Sequence, residues 1–391
     1  MAQRNLAPTD ELLFSTIPPL IEDYVAQTYF TSNELSNQTP EQILSRSLSI
    51  GSVISTTSSF AIKWQALIIE DPSTCVFQHI GQGLQGKVFE LTGTDKAIKV
   101  VLPSKDDCQL LKEEADMHEK VFAVFRKYKE HALGVHVPQP IEFVDTKTDL
   151  GKQWWEEQGR RFPDANEKMA DALIMERVFP IPKIVRHAIV DNFAVKKSNI
   201  PPQVAESIKK DTAQKHSLIR VYLGRESGPL MKGGAHGGTQ LSLRNFPLHL
   251  GAAKELSLDV EKMAEAMGAA IAILHWGAGL SGEDVEFVLG TKMTIKQDDH
   301  TDFQHREICL FLIDFGRCKA FPRGRNQIRN FGHGMLDNDP YYPSPDNPEL
   351  FKVFSESYVR TSRNVLLAEG LDINLGQMVI DGVLAYWKSL S

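Results

Sequence analysis

The chain is poor in cysteine and has no long uncharged apolar run, and each shortage removes a class of protein. Its four cysteines, Cys75, Cys108, Cys309 and Cys318, are scattered, with neither a C-x-x-C pair nor a paired histidine spacing. A structural zinc site and a disulfide framework are therefore not expected, and no metal site is assigned. The longest apolar stretch, Met267 to Leu274 with its flanks, is far too short to span a bilayer. The first dozen residues carry acidic and polar side chains and lack the apolar core of a secretory signal. A formal net charge of -7 gives no general attraction for DNA or an anionic membrane. The local basic groups Lys196-Lys197, Lys209-Lys210 with Lys215, and Arg323, Arg325 and Arg329 read first as solvated faces. These shortages point to a soluble cytoplasmic protein with reduced thiols, no membrane association and no DNA partner.

What is present is ordinary globular material: 391 residues, 42% hydrophobic and 24% charged, enough for two lobes and an extension. Residues 1–74 mix helix-like pieces such as Leu20 to Tyr29 with Ser/Thr-rich connectors, and read as an extension packed on the small lobe. From Cys75 short β-type runs begin, Val76 to Ile80, Lys87 to Leu91 and Ala97 to Leu102, separated by glycine-containing turns. A helix follows over about Asp106 to Tyr128, its apolar positions spaced near helical period. Two further strands, Val135 to Phe143 and Leu173 to Val178, are bridged by a charged, Trp-bearing insertion from Thr146 to Lys168 and complete a lobe over 75–180. Beyond it, 181–391 reads as mainly helical, with an apolar helix from Val260 to His275 and strands at Val285 to Leu289 and Ile308 to Ile313. The expected class is α+β.

Three motifs stand in one order. Gly81-x-Gly83-x-x-Gly86-x-Val88 lies between two strands, where missing side chains let backbone amides approach phosphates. No helix follows it, which argues against a dinucleotide fold. Lys99 comes one strand later, with Glu114 on the next helix as its expected partner and Glu113 as the near alternative. Asp314-Phe315-Gly316 follows an apolar strand. In this order the three resemble the glycine loop, strand lysine with helix glutamate, and metal-binding aspartate of protein kinases, which implies a two-lobed protein-kinase-like fold with an N-terminal extension. The catalytic-loop base of kinases is missing: two residues after His275 stands Gly277, not Asp.

Strand alternation puts Asp284 and Glu286 on one side, so that with Asp314 they could form a three-carboxylate cluster. Such a cluster holds Mg²⁺ or receives a guanidinium through bidentate hydrogen bonds. The alternative is a turn-capping Asp284 and a solvated Glu286. His275, at the end of a packed helix, reads either as a structural hydrogen-bonder or as a general base. Ser281 is a candidate nucleophile only if a base lies beside it. Trp276 reads either as a stacking platform for a substrate ring or as packing.

The ordered blocks Leu218-Ile219-Arg220-Val221-Tyr222-Leu223-Gly224-Arg225, Leu241 to Leu248, His275-Trp276, Asp284 to Gly290 and Asn338-Asp339-Pro340-Tyr341-Tyr342-Pro343 resemble a fungal domain family labelled hypothetical or zinc-finger protein. The match covers about residues 215 to 360. This type of sequence is similar to the fungal arginine-containing cyclodipeptide synthases. The resemblance implies arginyl-tRNA and a second aminoacyl-tRNA as substrates, a cyclo-arginine-Xaa dipeptide as product, and no required cofactor. Under this reading the candidate catalytic group is His275, Ser281, Asp284, Glu286 and Asp314. Substrate contacts would come from Gly81, Gly83, Gly86, Lys99, Glu114, Arg244, Asn245, Trp276, Asn338 and Asp339. Joining two activated esters needs positioned amines, a base and oxyanion stabilisation, so the missing kinase Asp is no handicap. One departure is Ser281, where the family loop often carries an Asp. The other readings of the same residues are an Mg-ATP-dependent phosphotransferase and a catalytically inactive pseudokinase scaffold.

Overall fold

The computed structural model describes residues 28–56, 76–82, 86–91, 94–101, 105–163, 169–233, 239–294, 304–328, 335 and 340–390. In chain order its strands are β1 (Thr28–Thr31), β2 (Ser52–Thr56), β3 (Phe77–Gln82), β4 (Gly86–Leu91), β5 (Lys96–Val101), β6 (Val135–His136), β7 (Pro140–Val144), β8 (Ala172–Glu176), β9 (Ile219–Tyr222), β10 (Met231–Gly233), β11 (Thr239–Leu241), β12 (Phe246–His249), β13 (Glu286–Thr294) and β14 (Gln304–Ile313). Three helices matter most for the site: α1 (Lys105–Lys127), α2 (Val260–Ala272) and α3 (Pro348–Ala368). The class is α+β, with two principal sheets.

The smaller sheet has the order β3-β4-β5-β8-β7, antiparallel throughout. Its core gathers Phe77, Phe89, Ile98, Leu173 and Ile174 with Trp154, Trp155 and Phe162. The Trp-bearing segment is thus no solvated insertion. Thr148 caps a helix over Asp149–Gln158, and Trp155 stacks on Phe162 with ring centroids 5.1 Å apart. Gly86 is fixed by close packing, because a Cβ there would lie 2.4 Å from the Val100 carbonyl oxygen. Helix α1 follows β5. Leu111, Ala115, Val121 and Phe125 are buried along one stripe, and Glu114 and His118 share that face.

The larger sheet has the order β1-β2-β14-β13-β9-β12, with β6 added on β14. Its long ladder is β13 against β14, antiparallel from Glu286 opposite Ile313 to Thr294 opposite His305. Alternation along β14 sends Ile308, Leu310 and Leu312 into the main core, and Cys309 and Phe311 to the other face. Helices α2 and α3 cover the core so tightly that a Cβ at Gly268 would lie 2.3 Å from the Phe354 carbonyl oxygen.

Two expectations need correction. The described part of the extension does not pack on the small lobe: β2 pairs with β14 and continues the larger sheet. Unpaired edge groups on β14 are better satisfied by a strand of the same chain than by water. The region 181–391 is richer in helix than in strand, and it also supplies β9, β12, β13 and β14 of the larger sheet. The run Val135 to Phe143 is two strands, not one; β6 joins β14 of the larger sheet, and β7 joins β8 of the smaller.

Candidate functional site

Lys99 projects from β5 toward α1, where its Nζ lies 2.7 Å from Glu114 Oε1 and 2.6 Å from Oε2. Both side chains are largely sheltered, at 15% and 7% exposure. Glu113, the other candidate, is solvent-facing and accepts from Gln109 at 2.8 Å. Burial raises the Glu114 carboxyl above its ordinary range, Lys99 opposes that rise, and Asp314 adds to it. The pair on the smaller sheet and Asp314 at the end of β14 therefore feel each other's charge.

Asp314 leaves β14 with φ +66° and Asp284 precedes β13 with φ +64°, both in the left-handed region. Non-glycine residues there carry local strain of order 1 kcal/mol or more. The following Phe315 is buried and its ring packs 5.1 Å from that of His118 on α1. Asp314 is exposed and forms no hydrogen bond or ion pair with a described residue.

The other two carboxylates are already engaged. Glu286 is ion-paired with Arg220 of β9, and Tyr341 donates it a hydrogen bond. Burial pushes the Glu286 carboxyl up to about 7, with Arg220 opposing and Asp314 and Asp284 adding to the rise. Asp284 lies 3.4 Å from Arg317 Nε, with both side chains more than half exposed. Asp284, Glu286 and Asp314 thus share one electrostatic neighbourhood, yet they are not an open triad. Among the described residues no group of three or more His, Cys, Asp or Glu side chains is arranged to hold a metal ion.

His275, Trp276 and Ser281 are buried and hydrogen-bonded within the fold rather than presented to that neighbourhood, which corrects the reading of His275 as a base and of Trp276 as a stacking platform. His275 is fully buried, stacked on Phe321 with centroids 4.0 Å apart. Its Nε2 faces the Ser281 carbonyl at 3.1 Å and its Nδ1 the Tyr358 hydroxyl at 2.9 Å. A carbonyl only accepts, so Nε2 carries the proton and Nδ1 accepts from Tyr358. Burial pushes the His275 pKa down to about 3, opposed by the Ser281 carbonyl. No ring nitrogen is left to act as a base. Trp276 is also fully buried and donates from Nε1 to Ser362 Oγ at 2.7 Å, so no ring face is open for stacking. Ser281 is buried and its Oγ accepts from the Lys319 amide at 3.0 Å, pinning the loop to the segment after Asp314.

Arg244 donates from Nη2 to the Ile80 carbonyl at 3.3 Å, and Gly81 faces the same guanidinium. Asn245 is an exposed turn residue with φ +53°. Gly83, Asn338 and Asp339 lie outside the described residues. Three side chains that engage these carboxylates escaped the sequence reading: Arg220, Tyr341 and Arg317. Arg220 and Tyr222, two apart on an otherwise apolar strand, were the available signal, since period-two alternation aims both at one face.

Among the described residues no helix is long and apolar enough to cross a membrane. A family described as zinc finger protein matches residues 310–370, the end of β14 through α3. That segment contains one cysteine, Cys318, and one histidine, His333, too few for a four-ligand zinc site. Cys318 is buried, and burial pushes its thiol up to about 12, far from a thiolate ligand. No curated protein matches the chain.

Proposed function

We propose that this chain is an aminoacyl-tRNA-dependent synthase that joins arginine to a second amino acid as a cyclic dipeptide, in a repurposed protein-kinase-like cleft. The fold reading is supported by the smaller sheet's strand order, the Lys99–Glu114 ion pair and Asp314 at the end of β14. The observation that carries the functional reading is a conjunction. An acidic neighbourhood around Asp314 adjoins a loop whose histidine is locked neutral in the interior and whose expected base is Gly277.

In this reading Asp314 receives the substrate guanidinium, joined by Asp284, whose exposed contact with Arg317 is worth at most about 1 kcal/mol and is replaceable. Glu286 is suited to accept the proton from an attacking α-amine, because its carboxyl ionises near neutrality. The amine of one aminoacyl group attacks the ester carbonyl carbon of the other, forming an amide and releasing one tRNA 3′-terminal hydroxyl. The second amine then closes the ring by the same exchange, releasing the second tRNA. Both steps use ester bonds already activated, so neither ATP nor a metal is required for their balance.

The test is expression of the chain in a host cell, with mass spectrometry for a new arginine-containing diketopiperazine, followed by reaction in vitro with charged tRNAs. Product should form and should vanish when ribonuclease is present from the start. Product that survives ribonuclease would overturn the tRNA route. A second reading, an ATP-dependent phosphotransferase, is favoured by the Lys99–Glu114 pair alone. It predicts a thermal shift with Mg-ATP at millimolar concentration.

A further inference from the structure

At the junction between the two sheets, cations collect around Phe179. Arg177 lies over the Phe179 ring at 5.0 Å and Arg306 at 5.6 Å. Arg306 projects from β14 on the same side as Ile308 and Leu310 and is 8% exposed. Arg186 donates from Nη1 to the Ile181 and Lys215 carbonyls, each at 3.0 Å. His216 stands within electrostatic reach of Arg177, Lys215, Arg186 and Arg244, which with burial push its pKa down to about 3. Among these groups Glu90 is ion-paired with Arg177, and its Oε2 lies 4.0 Å from His216 Nδ1.

Several buried donors there are unpartnered. Arg177 Nη2 is 3.4 Å from His216 Nδ1. A guanidinium only donates, so Nδ1 accepts and Nε2 carries the proton. That Nε2–H has no partner, nor has Arg177 Nε. A buried cation without a counter-charge costs several kcal/mol, and a buried donor left unmade adds its own desolvation penalty. In a chain of net charge -7, such a surplus in the interior needs an anion.

We propose that this junction is a binding site for a phosphate group, with Arg177 Nε and His216 Nε2 as its unsatisfied donors, the buried cation Arg306 beside them, and Lys215 and Arg244 at its edge. Phosphate fits better than carboxylate because the donors come from different elements and its tetrahedral oxygens accept from several directions. The phosphate comes from a free or nucleotide source, or from an RNA backbone. The site is separate from Asp314 and is tested by binding, so its failure leaves the cyclodipeptide reading untouched.

Calorimetry on the full chain at constant ionic strength would use inorganic phosphate, AMP and a short single-stranded RNA without terminal phosphate. Saturable binding by at least one of the three is expected, weakened about tenfold or more in Arg306→Met and measurably in Lys215→Gln. Arg306→Met should be no less stable than the parent without phosphate, because it removes a buried charge that Arg177 and Arg186 repel. Lys215→Gln, at the edge, keeps the test valid if that variant fails to fold. Displacement of phosphate by the RNA identifies a backbone source; binding of phosphate and AMP alone identifies a free one. Absence of saturable binding by all three probes, or unchanged binding in both variants, overturns the proposal.

Discussion

Glu286 at the start of β13 is ion-paired with Arg220 on β9, and the register that sets Glu286 opposite Ile313 brings the pair next to Asp314. The larger sheet thereby delivers three charges to one place from strands far apart in sequence. Its neighbour across the junction, the Lys99–Glu114 pair, adds two more. The site's character follows from how these charges are divided: Glu286 and Glu114 each have a cation, and Asp314 has none among the described residues.

The Glu286 carboxyl ionises near 7 in the folded protein and near its ordinary value of 4.5 when unfolded. The folded state therefore holds the extra proton between those values, and this group's contribution to stability is full below about pH 4.5 and lost as pH rises through 7. The loss is at most about 3 kcal/mol. Urea denaturation at pH 5 and pH 8 should show it in the parent protein and not in Glu286→Gln. Equal pH dependence in both would assign the effect elsewhere.

Lys99→Met should destabilise the chain by about 3 kcal/mol, because it leaves Glu114 buried without its cation. Adding Glu114→Leu to Lys99→Met should restore much of that loss. Chemical denaturation of the two single variants and the double variant measures the coupling, and additive losses would mean that the pair is not a unit.

The Lys99–Glu114 pairing was legible because helical phase puts Glu114 with Leu111, Ala115 and His118, and Glu113 outside. The ends of β13 and β14 were legible from their apolar alternation. Arg220 was not, because its partner comes from a strand 66 residues later and only the pairing of β9 with β13 brings them together. The larger sheet's extent was hidden for the same reason: β1, β2, β9 and β12 are short runs whose status as strands depends on partners distant in the chain. His275 and Trp276 kept two readings until their burial was known, since neither residue type reveals which side of a helix faces the core.

His275→Gln should lower stability without changing the shape of the pH–rate profile. His275 ionises near 3 when folded and near 6.5 when unfolded, so its contribution is full above 6.5 and lost as pH falls toward 3. That loss is at most about 5 kcal/mol. The parent should lose more stability than the variant between pH 7 and pH 4 in denaturation experiments. A pH–rate profile that loses a limb in the variant would instead make His275 a proton-transfer group.

Asp314→Asn separates stability from function most cleanly. Asparagine tolerates the left-handed backbone at least as well as aspartate, so the φ of +66° adds no penalty. Removing the charge also relieves the repulsion that raises Glu114 and Glu286. The variant should therefore be as stable as the parent or slightly more so. It also loses the one carboxylate of the group that no described cation has claimed. A neutral amide cannot replace the charge-assisted bidentate contact to a guanidinium, a difference worth about 1.5–3 kcal/mol or more when buried. Arginine incorporation should fall at least about tenfold, read as diketopiperazine formed per enzyme with arginyl-tRNA held limiting. A variant that stays folded and makes product at the parent's rate would remove Asp314 from arginine recognition.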